Sequence, residues 1–410
     1  MREQQLEHLF RHQHGKMVSI LTRIFGLSNL ETIEDAVQDT FIQAMLAWRK
    51  KMPENPEAWL TKAAKNRMID LFRKLNAEQK RVPKIESGPA TIALQELFLD
   101  EEIADSQLRM IFTACHPVLK PKDQIAFALK TVSGFSSKEI ASALLLKEET
   151  IKKSLVRARK AIAARNIAFQ IPQGHDLPER LNRVLEVLYL IFNEGFHSNK
   201  KELLIRKDLC GEAMRLCKML LQNTFTRTPK TYALFALMCF HSARMESKIG
   251  PASEIIDLKN QDRSKWYFPL VELGDSAMFK ATETDEFSTY HYEAAIAAEH
   301  LSAKSFADTN WDKILYWYEQ LYALQPSAFN LLNQAMVQLQ RQDNAAALAL
   351  LKQVSPTNLE QRAYLYHGAF AEYYVAIGQR KKAEESLDTA LGLVRNEAEK
   401  AYLLKKRVQI

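Results

Sequence analysis

The chain has 410 residues, enough for two or three domains, and its 47% apolar content can fill more than one core. Glycine is scarce, at 12, and alternating β-branched runs are hard to find, so the composition points to an all-α protein and away from a large sheet. The net charge of +7 is concentrated: residues 61–82 and 147–165 each hold seven Lys/Arg against two acids, which leaves the rest of the chain near −3. A solubility excess would be spread more evenly, so a polyanion partner at two places is expected.

Four cysteines, Cys115, Cys210, Cys217 and Cys239, are too few for a disulfide framework, and none has a zinc spacing. Cys210 and Cys217 fall on one helix face and read as core. The polar start, MREQQLEHLFRHQHGK, is not a signal peptide. The most apolar run, residues 184–192, contains Glu186 and is too short to span a bilayer, so the expectation is a cytoplasmic protein with no membrane partner. No HExxH, Gly-rich phosphate loop, GxSxG or metal-spaced cluster occurs, so neither an enzyme nor a cofactor is expected.

In chain order, residues 4–27 read as one or two amphipathic helices with Leu6, Leu9, Phe10, Met17, Ile20, Leu21 and Ile24 inward. A helix beginning near Thr32 or Ile33 turns Ile33, Ala36, Val37, Phe41, Ala44 and Met45 to one side and Glu34, Asp35, Gln38 and Asp39 to the other. Residues 49–56 hold two prolines and cannot continue it. Residues 57–74 form the next helix, with Trp59, Leu60, Ala63, Ala64, Met68 and Leu71 inside and Lys62, Lys65, Asn66, Arg67, Asp70, Arg73 and Lys74 outside. Taken alone, this is a helical hairpin with solvated charges.

The whole string carries more. ED-x-x-QDTF, a Pro-containing loop, then P-x-x-WL-x-x-x-A-x-N-x-x-x-D-x-x-R resembles region 2 of the extracytoplasmic-function sigma factors of bacterial RNA polymerase. The resemblance implies that Glu34, Asp35, Gln38, Asp39 and Phe41 dock on core RNA polymerase. It also implies that Arg49, Lys50, Lys51, Asn55, Lys62, Lys65, Asn66, Arg67 and Arg73 engage the melted −10 element of promoter DNA. Single-stranded bases need a pocket or platform together with cations for the phosphates. Trp59 reads better as a core anchor than as a stacking surface, and Asp70 as a structural partner of Arg67 or Arg73.

Pro83, Ser87, Gly88 and Pro89 mark a linker over residues 83–105, with an acidic stretch at its end. Beyond it come a helix around Leu108, Ile111 and Phe112 that stops at Pro117, and another over residues 124–132. A short helix then opens at Ser136 or Ser137 with Glu139 at the capping-box position. A turn at Leu144–Leu146 leads to a basic helix from Glu148 to about Ala164. This is a helix-turn-helix whose second helix would enter the major groove. FSSKEIA…EETIKKSLVRARK resembles sigma region 4. The resemblance implies that Glu149, Thr150, Lys152 and Lys153 face −35 base edges and that Arg157, Arg159 and Lys160 sit on phosphates. Ser154 stands where many relatives carry an Arg.

After Ile171-Pro172-Gln173-Gly174 the basic excess stops and a long helical tail follows. LYLIFNEGF and the later QDRS-x-W resemble the C-terminal extension of one sigma subfamily, whose tail is tetratricopeptide-like. Ile314, Ala347 and Ala383 are 33 and 36 residues apart, near that repeat's period of about 34. Asp257, Asp262, Arg263 and Trp266 read as a structural network, with a ligand or partner site, for a protein or small molecule, as the alternative.

The expected organisation is therefore region 2 at 1–82, a linker at 83–105, region 4 at 106–168 and a helical repeat domain at 175–410. The expected function is that of a sigma factor with a regulatory tail. A helix-turn-helix DNA-binding regulator with a repeat-type sensor domain is the alternative, for which the acidic face of residues 34–39 has no use.

Overall fold

A computed structural model of the chain describes residues 2–48, 52–79, 100–144, 146–196, 205–250 and 254–410. Arg49, Lys50, Lys51 and most of the linker lie outside these residues, and the Arg73 side chain is likewise not described. The described part is all-α, with no strand ladder beyond one isolated bridge between Ile249 and Ile255. Two compact units divide at Ile191/Phe192.

In the first unit, α1 (Arg2–Phe25), α2 (Leu30–Ala47) and α3 (Pro56–Gln79) pack mutually. The start of the chain is one helix, not two, because no breaker interrupts it before Gly26, whose φ of 89° ends it. Met17, Ile20, Leu21, Ile33, Val37, Leu60, Ala64 and Met68 form the core. Met45, placed inside by its spacing, is 51% exposed, and Ile42 and Leu46 beside it are exposed too. Phe41 stacks on Phe10 with centroids 4.8 Å apart, and Trp48 meets Trp59 edge-on at 5.5 Å. Trp59 is thus part of an aromatic cluster.

The helices α4 (Asp100–Ala114), α5 (Pro121–Thr131), α6 (Ser137–Ala143) and α7 (Glu148–Ala164) follow. Ser136 caps α6, donating its backbone N–H to Glu139 Oε2 at 2.7 Å and accepting from Glu139 N at 3.2 Å. Two orphan donors at the helix start are thereby satisfied reciprocally. Helix α1 packs against α4 and α5 as well as against α2 and α3. Gly15 permits this: a Cβ there would lie 1.8 Å from the Val132 carbonyl oxygen. Helix α8 (Asp176–Phe196) follows, with Arg180 donating to the Phe112 carbonyl at 2.7 Å.

The second unit contains α9 (Lys207–Gln222), α10 (Pro229–Ala243), α11 (Phe268–Ala281), α12 (Thr289–Ser302) and α13 (Trp311–Leu324). It continues through α14 (Ala328–Gln340), α15 (Asn344–Gln353), α16 (Tyr364–Ala376), α17 (Arg380–Leu393) and α18 (Glu397–Gln409). Successive helices pack on one another. Ile314, Ala347 and Ala383 are each fully buried and each the fourth residue of its helix, so the 33- and 36-residue spacing marks a recurring register. The four cysteines are free and buried, as core residues are.

Candidate nucleic-acid interface

Helix α7 opens one face and buries the other. Ile151, Ser154, Leu155, Ala158 and Ile162 are buried, whereas Glu149, Thr150, Lys152, Lys153, Arg157 and Lys160 are exposed. The pattern follows the helical period, with apolar residues returning every three or four positions against α5 and α6. Several exposed charges are already engaged. Lys152 Nζ lies 3.1 Å from Glu148 and 3.2 Å from Glu149. Arg157 donates to Asp123 Oδ1 at 2.7 Å.

Ser154 is buried and its hydroxyl donates to the same Asp123 carboxylate. Position 154 therefore points into the domain, and no outward cation is lost there. Asp123 was not singled out from the sequence. Its pattern signal, an acid in the first turn of a helix after Pro121, is common to surface helices.

On α3, Lys62 and Asn66 are exposed and Lys65 and Arg67 are half-buried. Partial burial lowers the Lys65 pKa. Arg67 pairs with Asp39 of α2 at 3.0 Å. Asn55 caps α3, its side-chain oxygen accepting from Ala58 N at 3.0 Å.

The acidic set of α2 is split. Asp35 and Gln38 are exposed, and Asp39 is half-buried. Glu34 is only 4% exposed and accepts a hydrogen bond from Arg159 of α7. Glu31 lies 4.0 Å from the same guanidinium. Burial raises the Glu34 pKa, against the attraction of Arg159 and Lys130. The pair is incompletely satisfied: Glu34 Oε1 and Arg159 Nε are buried without hydrogen-bond partners.

Farther along α2, Gln38 and Phe41 share a cleft with Phe10, His14, Lys130, Gly134, Ser136 and Glu139. The side of α2 that includes Glu34, Gln38 and Phe41 thus faces the helix-turn-helix. A second bridge joins Arg23 of α1 to Glu102 and Asp105 of α4.

Two sigma family models match the front of the chain: Sigma-70 region 2 over residues 9–78 and Sigma-70, region 4 over residues 109–162. The first range contains most of α3 and Glu34, and the second contains most of α7 with Asp123 and Arg159. The chain belongs to the extracytoplasmic-function sigma factors. Among relatives, the ferric citrate uptake sigma factor FecI of Escherichia coli is 29% identical over 37% of this chain and 85% of its own. The ECF RNA polymerase sigma factor SigE of Mycolicibacterium smegmatis is 25% identical over 38% of this chain and 59% of its own.

Each of these two matches spans less than two-fifths of this sigma factor. Residues 180–282 match a family of unknown function, DUF6596. An uncharacterized protein of Rhizobium meliloti, R00370, is 32% identical over 92% of this chain and 89% of its own, so the combination of sigma regions and tail recurs. No solved structure gives a significant match. The sigma factor directs promoter-specific, DNA-templated transcription initiation as a partner of core RNA polymerase. Its family is not an enzyme class. Among the described residues, no helix is long and apolar enough to cross a membrane and no His/Cys/Asp/Glu group has a metal-holding arrangement.

Proposed function

We propose that the structure is the closed, unloaded form of the sigma factor. The observation that carries this is the Glu34–Arg159 contact, which ties a polymerase-facing residue to a promoter-facing one. Neither can serve its partner while the contact holds. Its unsatisfied atoms suit a contact built to be released, because a half-satisfied buried pair adds little to stability.

In the open form, Glu34, Asp35, Gln38, Asp39 and Phe41 meet core polymerase, with exposed Ile42, Met45 and Leu46 supplying apolar area beside them. Arg49, Lys50, Lys51, Asn55, Lys62, Lys65, Asn66, Arg67 and Arg73 serve the −10 element. Glu149, Thr150, Lys152 and Lys153 read the −35 element, while Arg157, Arg159 and Lys160 take phosphates. The protein performs no chemistry of its own, and it works in the cytoplasm, where polymerase and template are. The tail is a helical-hairpin repeat that regulates the front.

Run-off transcription with core polymerase on genomic fragments tests the reading. Discrete start sites that depend on this protein are expected. Duplex binding without any such transcript would instead indicate a helix-turn-helix regulator that acts without the polymerase. For the tail, a chain ending after Phe196 is compared with the whole; equal transcription from both would remove the regulatory role.

A further inference from the structure

In the tail, the QDRS-x-W stretch is engaged in holding the fold together. Asp257 and Asp262 each cap a short turn, and Asp257 also accepts from the Tyr402 hydroxyl at 3.2 Å. Arg263 donates to the carbonyls of His300 and Ala303 at 2.8 and 2.6 Å, and Trp266 Nε1 donates to the Ser247 hydroxyl at 2.9 Å.

The seam between the two sigma regions holds a cleft instead, with a volume of about 320 Å³. That lies at the small end of the range of about 300–1,000 Å³ typical of ligand sites. One wall is Leu27 and Leu30, where the chain enters α2; the other is Ile162 and Ile167, at the end of α7 and just past it. The backbone at that end of α7 is closed: the N–H groups of Arg165, Asn166 and Ile167 donate to the carbonyls of Ala161, Ala163 and Ile162 at 3.2, 3.1 and 3.1 Å. The orphan carbonyls that would repel an anion there are thus answered.

The charges in the cleft are unequally engaged. Arg159 lines it and is already paired with Glu34, although its Nε is buried without a hydrogen-bond partner. Glu31 stands 4.0 Å from the same guanidinium and is mostly in solvent. Lys160 also lines the cleft, from an exposed position, and has no carboxylate partner among the described residues. One cation beside an apolar wall suits a single negative charge on an apolar body; a second negative charge would meet Glu31.

We propose that this cleft binds a small amphiphilic monoanion, an apolar body carrying one carboxylate, with the body against Leu27, Leu30 and Ile167 and the carboxylate beside Lys160 and Arg159. Burying the body removes apolar surface from water, and the charge-assisted contact to Lys160 orients the head. Because each sigma region supplies one wall, the site exists only while the two are together. The ligand therefore binds the closed form and not the open one, and holds it closed by mass action. It also occupies two cations that serve promoter phosphates. This locking role rests on the reading of the structure as the closed, unloaded form.

Fluorescence titration of the full-length protein with anilinonaphthalene sulfonate, followed by displacement with decanoate or with uncharged decanol, is the test. One saturable site per chain that decanoate clears is expected. Lys160→Met should weaken decanoate about tenfold, the loss of one charge-assisted contact, and leave displacement by decanol unchanged. Ala163 lines the same cleft from an exposed position, so Ala163→Trp should fill it and remove the site without lowering the melting temperature. Absence of a saturable site overturns the proposal. So does unaltered binding by Ala163→Trp, which would place the dye on exposed Ile42, Met45 and Leu46. Equal weakening of decanoate and decanol in Lys160→Met overturns the recognition of charge. Decanoate should also repress run-off transcription by the wild-type protein and not by Ala163→Trp. Binding without repression would refute the locking role and the closed-form reading with it, whereas loss of the site alone would leave that reading standing.

Discussion

Glu34→Gln and Arg159→Met, with the double variant, measure the contact that closes the front of the molecule. Glu34→Gln keeps the shape but leaves Arg159 facing a neutral amide in a site where its side chain is only 21% exposed. Stranding one member of a buried pair costs about 3–5 kcal/mol, and the residual exposure of Arg159 brings the expected loss to about 2–3 kcal/mol. Arg159→Met should cost less, about 1–2 kcal/mol, because a hydrogen bond to a charged group is worth about that much and Glu34 can escape by taking up a proton. Burial already raises the Glu34 pKa, and removing Arg159 deletes the strongest opposing attraction. The double variant should therefore be more stable than the sum of the single losses predicts, by about 1–2 kcal/mol. Urea unfolding of the four proteins gives the cycle. Hydrogen exchange on α2 and α7 shows whether the loss is local opening of the two regions. Additivity within about 0.5 kcal/mol would refute the argument, since it would mean that the two side chains do not sense each other.

Gly15→Ala should destabilise the protein by about 3 kcal/mol, seen as a lower urea midpoint, because its Cβ would overlap the Val132 carbonyl and backbone cannot step aside cheaply. Ser154→Ala should cost about 1–2 kcal/mol through the lost hydrogen bond to Asp123 and leave −35 preference in run-off transcription unchanged, because the side chain points inward. His14 is held neutral, its pKa lowered to about 3 from 6.5 by burial and by Lys130. The folded state thus binds fewer protons than the unfolded one, so stability is full above about pH 6.5 and is lost as pH falls toward 3. Between pH 7.5 and 5.5 His14 should contribute about 1.4 kcal/mol to the loss seen in urea unfolding, and His14→Leu should reduce the pH dependence by that amount, leaving the part due to the other histidines whose pKa burial lowers. Lys153→Ala and Lys160→Ala, both on the open face of α7, should each reduce the slope of log affinity against log salt for the polymerase holoenzyme on promoter DNA by about one phosphate contact.

The local code was legible because it is local. The capping box at Ser136 and Glu139 is carried by four consecutive residues, and the open face of α7 follows from the helical period of Ile151, Leu155, Ala158 and Ile162. So is the segregation of charge into two basic helices, which together with the region 2 and region 4 strings identified the family. The same period says which residues share a helix face but not what covers that face. It grouped Glu34 with Asp35 as open carboxylates, whereas α7 covers the first and leaves the second in solvent. It placed Met45 in the core because spacing cannot tell where a neighbouring helix ends. Ser154 and Asp123, 31 residues apart, and the two walls of the seam cleft, at Leu27 and Leu30 and at Ile162 and Ile167, meet only when helices pack. Chain connectivity sets each helix and its polarity; burial, and with it the cost of every charge, belongs to the tertiary structure, because desolvation depends on neighbours that the sequence does not place side by side.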